Sequence, residues 1–448
     1  MKHSSMNWLI LVAFCCPLSM AAGCDTPSNQ DGGDTELLSV VAISRHGIRS
    51  ATVSTESLNQ YTTQLQGFPL WPPSATDPDV PGNLTIHGEQ NVTRLGSWYR
   101  DFYVTQGFLP PRGSCPADGA VFVYADINER TIHTAQGYLD GMFPEPTTNC
   151  GIQVSHASNL HAADPYIVTA AAGTCKIDTA ADLIAFNTRT GGAAALINTY
   201  SSQLQMLESV TKYPLLDLPT TVTSDGAVAF ASGTLFNVAD MITETFELEY
   251  VQGMPDSNCA STVGAQCFAW GAIPTGGLND LMKLHVLNMG TACGLPSFAQ
   301  VGSSNLMWQM VGTMDQTLSG VRNPDMLAPV TSKFTLFVAH DENLLAIASF
   351  LEGVSWEAEG FQRNDPGPAG ALVFELHKDK HSGQFIVRLF YVIATLDQMR
   401  YATTLTLDTP PQRVPLAIPA CGGAYDCPYD QFKSFITANV RQDCLVTQ

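Results

Sequence analysis

The chain has 448 residues, 45% of them hydrophobic, which is enough for a large core and, at roughly 150 residues or somewhat more per domain, predicts about two domains. Its 21 Lys+Arg stand against 41 Asp+Glu, a formal net charge of -20. Such a molecule repels nucleic acid and anionic membrane surfaces as a whole, so an anionic ligand must be caught by a local cluster of positive charge.

The N-terminus, "MKHSSMNWLILVAFCCPLSMAAGC", carries a lysine, an apolar run from Trp8 to Cys16 and the small residues Ala21, Ala22 and Gly23, the layout of an export signal over residues 1–23. The apolar run is too short to span a bilayer, and no later segment reaches ~18 uninterrupted apolar residues. Two readings stay open for the segment after Gly23. Plain cleavage would leave a polar leash at 24–36, whereas Cys24 after Ala-Ala-Gly also suits a lipid anchor with that stretch as its tether. Either way the chain is expected outside the cytoplasm, periplasmic or secreted.

The first strand-like run, "ELLSVVAI" (36–43), leads into "SRHGIRSAT". If a helix follows the glycine, the amides after Gly47 form an anion site at its N-terminus. Arg45 and Arg49 add planar forks matched to phosphate oxygens, and His46 between them is an imidazole able to attack phosphorus and hold the phosphoryl group. The Pro-rich 69–82 reads as a loop. A second strand, "GAVFVYAD" (119–126), precedes a helical stretch with Arg130 near its start. That side chain is placed to meet the same anion, or to make a surface pair with Glu129 or Asp126. The middle third is helical by periodicity, in "AAALINTYSSQLQMLESV" (193–210) and at Leu235, Val238, Ile242 and Phe246. "SKFTLFVAHD" (332–341), "ALVFELHK" (371–378) and "GQFIVRLFYVI" (383–393) are further strands, near-continuously apolar as strands covered on both faces are. His340 and Asp341 fall where a strand gives way to an apolar helix, the edge at which open α/β sheets bind ligands. An aspartate there can protonate a leaving alcohol, and the competing reading is an ion pair capping the helix.

From Cys24 onward there are ten cysteines, a density that points to an oxidising compartment. No CxxC pair or Cys/His cluster has zinc spacing. Cys259/Cys267 and Cys421/Cys427 are close enough in sequence to staple loops.

RHGIRSAT, ADINERT and AHDENL together resemble the signature set of the histidine acid phosphatases, in their periplasmic bacterial branch of phytases and glucose-1-phosphatases. "NLTIHGEQNVTRLGSWYRDFYVTQGFL", "AADPYIV", "YVQGMPD", "LDTPP" and the closing cysteines extend the similarity in order over nearly the whole mature chain. The resemblance implies an α/β fold of the phosphoglycerate mutase-like kind: a mixed central sheet flanked by helices (37–175 and 300–448), with a smaller, mainly helical domain (176–299) covering the cleft. It implies His46 as the nucleophile of a phosphohistidine intermediate, Arg45, Arg49, Arg130 and His340 as phosphate ligands, and Asp341 as proton donor. No metal or cofactor is expected, because the arginines supply the charge stabilisation that metal ions supply elsewhere. Disulfides Cys115–Cys150, Cys175–Cys444 and Cys421–Cys427 are implied as well. Spacing adds Cys259–Cys267 and leaves Cys293 as the odd thiol.

The departures bear on the substrate. Ala51 stands where the family has proline, and Val53, after the matching Thr52, where phytases have lysine. Glu342 replaces the threonine of phytases and the serine of glucose-1-phosphatases, and a carboxylate beside the pocket penalises a heavily anionic ligand. Asp256 matches a glutamate of phytases. The expected activity is therefore an acid phosphomonoesterase for broad or singly phosphorylated substrates such as sugar and aryl phosphates, with phytase action on inositol hexakisphosphate as the alternative. The remaining histidines read as solvated or structural, save His285, which resembles a cleft-facing histidine of the family. A metal-dependent His-Asp hydrolase would not need Arg45-His46-Gly47, and a silent binding lipoprotein would not need both His46 and Asp341. The mutases that share Arg-His-Gly fit export and disulfides less well than a hydrolase does.

Overall fold

The computed structural model describes residues 34–447 apart from 73, 75–79, 145–147, 159–162, 255–268 and 275. The export signal with Cys24, most of the polar stretch, Asp256 and the Cys259–Cys267 pair lie outside the described residues. The strands are β1 (Thr35–Arg45), β2 (Val121–Ala125), β3 (Val154–Ser155), β4 (Val222–Thr223), β5 (Ala229–Phe230), β6 (Phe334–Ala339), β7 (Ala371–Asp379), β8 (Phe385–Ile393), β9 (Gln412–Leu416) and β10 (Cys427–Pro428). The helices are α1 (Thr55–Leu58), α2 (Ile86–Thr105), α3 (Glu129–Met142), α4 (Thr179–Thr190), α5 (Ala193–Thr199), α6 (Ser201–Thr211), α7 (Leu235–Val251), α8 (Gly277–Cys293), α9 (Pro296–Ser319), α10 (Asp341–Phe350), α11 (Leu396–Arg400) and α12 (Tyr429–Asn439).

Eight strands form one mixed sheet in the order β10-β8-β7-β1-β6-β2-β3, with β9 paired to β8. β1, β6, β2 and β3 run parallel, whereas β7 is antiparallel to β1 and β8. β1 lies between β6 and β7, and its last seven residues are all buried, as are all six of β6. Apolar side chains on both faces of such strands each contribute roughly 1.5–3 kcal/mol by burial, which is why alternation gives way to continuous Val, Ile, Leu and Phe. β9 escaped the sequence reading because it contains Pro415. The strand sits on β8 alone, where a missing N–H is tolerated.

Two large apolar cores are separate, besides a small cluster of Cys175, Val301 and Cys444. One surrounds the sheet and the helices α2, α3, α9, α10 and α12 packed against it. The other joins α4–α8 and draws in Ala51, Leu58 and Phe68. The helical run expected at 193–210 is α5 and α6, broken at Tyr200 (φ -107°, ψ 19°). α9 runs from Pro296, at its first position, across the expected boundary at 299/300. Disulfides join Cys115 to Cys150, Cys175 to Cys444 and Cys421 to Cys427, and Cys293 is a buried free thiol. No described helix is long and apolar enough to cross a membrane.

One local expectation is overturned. No helix follows Gly47: residues 46–50 run extended beside 83–85, with Thr85 N–H donating to Ile48 O (3.0 Å) and Ser50 N–H to Asn83 O (3.1 Å). The Gly47 amide donates to Thr134 Oγ1 (2.8 Å), so it offers nothing to an anion. α2 can pack this close because of Gly88, where a Cβ would stand 2.1 Å from Ile48 O.

Candidate active site

Parallel pairing brings three strand ends level. Arg45 is in register with Ala339 and Ala125 with Val338, so His46, His340 and Asp126 leave the sheet side by side. The His46 and His340 rings face each other, with centroids 5.7 Å apart at 69°. His46 Nδ1 lies 2.9 Å from Gly47 O, which assigns the proton to Nδ1 and leaves the Nε2 lone pair free. Burial, reinforced by Arg130, Arg45 and Arg49, holds the imidazole well below its usual pKa. A neutral imidazole with a bare Nε2 is a nucleophile.

Around it stand Arg45, the last residue of β1, Arg49, from the extended segment that follows it, and Arg130, from the first turn of α3. Each carries a buried Nε–H without a hydrogen-bond partner. Buried donors are seldom left so, and three of them beside one nucleophile make a receptor for an oxyanion. Arg45 is wholly buried; burial opposes its charge, but Asp341 and Glu244 outweigh that and raise its pKa. Gly82, at φ +84°, passes between Thr52 and Arg130, where a Cβ would lie 3.6 Å from Thr52 Cγ2 and 3.9 Å from Arg130 Nη1.

His340 is the N-cap of α10, and its own N–H donates to Asn343 Oδ1 (3.1 Å). Its Nε2 meets Asp126 Oδ2 at 2.7 Å, and its Nδ1 is 3.4 Å from Arg130 Nη2. Asp126 is thus in direct contact with His340, and Asn128 Nδ2 donates to the same carboxylate. Asp341, first residue of α10, forms an ion pair with Arg45, with Oδ2 2.9 Å from Nη2. Burial would raise its carboxyl, but Arg45 and Arg49 hold it below the usual range. Glu342, beside it, is pushed up by burial and by the Asp341 charge. His285, expected to face the cleft, is only 1% exposed, with Nδ1 on Asp240 Oδ1 at 2.7 Å. Burial works against its charge, but Asp240 lifts its pKa to about 10.

The sequence reading missed Asp240 and Glu244, and gave Asp126 to Arg130 instead of His340. Asp240, Glu244 and Glu247 form an acidic stripe at i, i+4 and i+7 on α7, whose other face is apolar, and that pattern was the available signal. Among the described residues no group of three or more His, Cys, Asp or Glu side chains is arranged to hold a metal ion.

Residues 36–252 match the model of the histidine phosphatase superfamily, branch 2. The chain carries a domain of that family. It is 28% identical over 412 residues to the phytase AppA of Escherichia coli, covering 88% of each chain, and 27% identical over 419 residues to the glucose-1-phosphatase of Salmonella typhimurium, covering 89% of this chain and 91% of that one. Among solved structures it is similar to the Hafnia alvei phytase in complex with myo-inositol hexakis sulphate, at a TM-score of 0.78 and 28% identity over 92% of this chain and 99% of that one. The mixed α/β fold expected of the family is the fold observed.

Proposed function

We propose that this histidine phosphatase is an exported acid phosphomonoesterase that works through a phosphohistidine on His46. The observation that carries the reading is the neutral His46 Nε2 ringed by three unpartnered guanidinium Nε–H donors at the end of the sheet. Arg45, Arg49, Arg130 and His340 bind the phosphate oxygens, and Nε2 attacks phosphorus. The P–O ester bond breaks, its electron pair goes to the leaving oxygen, and that oxygen takes a proton from Asp341. Asp341, now a carboxylate, accepts a proton from water as the water oxygen attacks phosphorus and the N–P bond returns its pair to His46. The arginines hold Asp341 below the usual carboxylate range. A bound phosphate monoester cancels their charge, and an acidic medium then supplies the proton.

The substrate class is read from the surroundings of Ala51 and Val53. With Leu70, Trp71, Pro72, Val80 and Pro81 they line a cavity of about 350 Å³, in which Glu56 is the one ionisable side chain among the described residues. Ser50, Ser54, Thr55, Ser74, Asn83 and Thr85 complete the lining. A wall of apolar and hydroxyl groups without a cation suits the leaving group of a singly phosphorylated substrate, and Glu342 brings no positive charge to hold further phosphates. Phytase action is the second reading, favoured by the phytases among the relatives. In the same proposal residues 176–299 form the helical cover, Thr52, Asp256 and Glu342 border the substrate, residues 1–23 direct export, and a lipid anchor on Cys24 is the alternative to free release. The disulfides support an oxidising compartment. Phosphate release at acidic pH from inositol hexakisphosphate, glucose 1-phosphate and 4-nitrophenyl phosphate tests the reading. The aryl ester is expected to be preferred, and a preference for inositol hexakisphosphate moves the assignment to phytase.

A further inference from the structure

Glu244 reaches the phosphate pocket from α7, a helix whose Leu235, Phe236, Val238, Ala239, Ile242 and Phe246 are buried in the second core. Its Oε1 alone accepts from Arg45 Nη2 and from Arg49 Nη2, each at 2.6 Å. Arg45 Nη2 also meets Asp341 Oδ2 at 2.9 Å, so one terminal nitrogen ties Glu244 to the proposed proton donor. Only 14% of the Glu244 side chain is exposed, which leaves the two guanidiniums as its principal solvation. The shared oxygen takes Nη2 of both arginines, Pro366 O and Ser50 O take Nη1 of Arg45 and of Arg49, and the Nε–H of each is left without a partner.

We propose that Glu244 is a positioning residue of the phosphoryl-transfer site, an internal counter-ion that turns the Nε edges of Arg45 and Arg49 toward the phosphate while offsetting part of their charge, and so limits how tightly product phosphate is held. The inference rests on the phosphatase reading above. Three guanidiniums in a dry pocket would bind inorganic phosphate strongly enough to slow turnover, because charge pairs weaken little where water is excluded. A fixed carboxylate beside two of them lowers that affinity without occupying the Nε donors.

The same charge acts on Asp341. The groups set around that carboxyl are Arg45 from the end of β1, Arg49 from the segment that follows it, Arg130 from α3, His285 and Cys293 from α8, Glu244 and Asp240 from α7, Glu342 on its own helix, and Asp365. Arg45, Arg49 and His285 favour the carboxylate, whereas Glu244 opposes it. Removing the Glu244 charge therefore makes Asp341 harder to protonate, and the alkaline limb of the activity profile moves to lower pH.

The test is Glu244→Gln, which keeps an amide oxygen for the arginines and removes the charge. Steady-state hydrolysis of 4-nitrophenyl phosphate is followed from pH 3 to 7 with inorganic phosphate as competitive inhibitor. The phosphate inhibition constant is expected to fall about tenfold, KM and kcat to fall together, and the alkaline limb to shift down by roughly one pH unit. An inhibition constant that stays within twofold of the unmodified enzyme, or rises, overturns the inference, as does an unmoved limb. Should the glutamine variant fail to fold, Glu244→Asp carries the test. It withdraws the charge by one methylene, so the inhibition constant is expected to fall by a smaller factor, and a value at or above that of the unmodified enzyme is contrary. Failure of the phosphatase reading looks different: the unmodified enzyme then releases no phosphate at all.

Discussion

Arg45 Nη2 and Asp341 Oδ2 lie 2.9 Å apart, although the two residues are separated by most of the chain. β1 and β6 make the contact, because their parallel register sets Arg45 against Ala339, two residues before Asp341. The guanidinium assigned to the phosphate therefore also governs the group assigned to the leaving alcohol. Charge arriving on one is felt by the other.

Asp341→Asn is accordingly expected to discriminate between leaving groups. An alkyl phosphate, whose alkoxide needs a proton as it departs, should lose about 10²–10⁴-fold in kcat, the usual range for a lost general acid. With 4-nitrophenyl phosphate the loss should be far smaller. Equal losses for the two esters, measured by phosphate release, would contradict the role.

Glu375 gives a pH-dependent contribution to stability. It is 2% exposed in the middle of β7 and receives Arg413 Nη2 (3.0 Å) and Tyr103 OH (2.9 Å), with His377 Nε2 at 3.1 Å. Burial alone would raise its carboxyl, but Arg413 and His377 bring it down to about 2. Against an unfolded value of ~4.3, a depressed folded value gives stability that is complete above that pH and is lost as pH falls toward 2, on the order of 3 kcal/mol. Urea midpoints of Glu375→Gln should fall well short of the unmodified protein at pH 6, and the gap should narrow below about pH 4 and close only toward pH 2. A gap independent of pH would contradict this.

The Cys175–Cys444 bridge closes a span of 269 residues between the loop before α4 and the C-terminal tail. Loop-closure entropy puts its contribution at about 5.5 kcal/mol, within the model that assigns the effect to the unfolded chain. Replacing both cysteines by serine should lower the denaturation midpoint clearly. The same change at Cys421–Cys427, whose span is 6 residues, should do much less.

Val53→Lys combined with Glu342→Thr should raise kcat/KM on inositol hexakisphosphate relative to 4-nitrophenyl phosphate, by about tenfold or more, since a cation is gained and a carboxylate lost beside the pocket. An unchanged ratio would detach both positions from substrate choice.

Much of this was legible in the sequence because strand ends carry their chemistry in short runs. RHG after a continuous apolar strand, and HD where a second strand meets a helix, put the histidines, arginines and the aspartate on one edge of a sheet from the residue pattern alone. The supporting carboxylates were not legible in the same way. Asp126 read as a neighbour for Arg130, because in sequence the two are four residues apart, and only the level ending of β2 and β6 hands it to His340. Glu244 sits on a helix that periodicity describes by its apolar face, and its target lies some 200 residues away. The helix assumed after Gly47 failed for a related reason: hydrogen bonds to 83–85, distant in sequence, outweighed a local expectation.

The most direct measurement is rapid quenching of the enzyme into alkali during turnover of a phosphate-labelled monoester, with His46→Ala in parallel. A phosphohistidine mechanism predicts an alkali-stable, acid-labile label on His46 of the unmodified enzyme and, in the variant, no label and no more than a trace of phosphate release. Full activity of His46→Ala, or label at another residue, would contradict it.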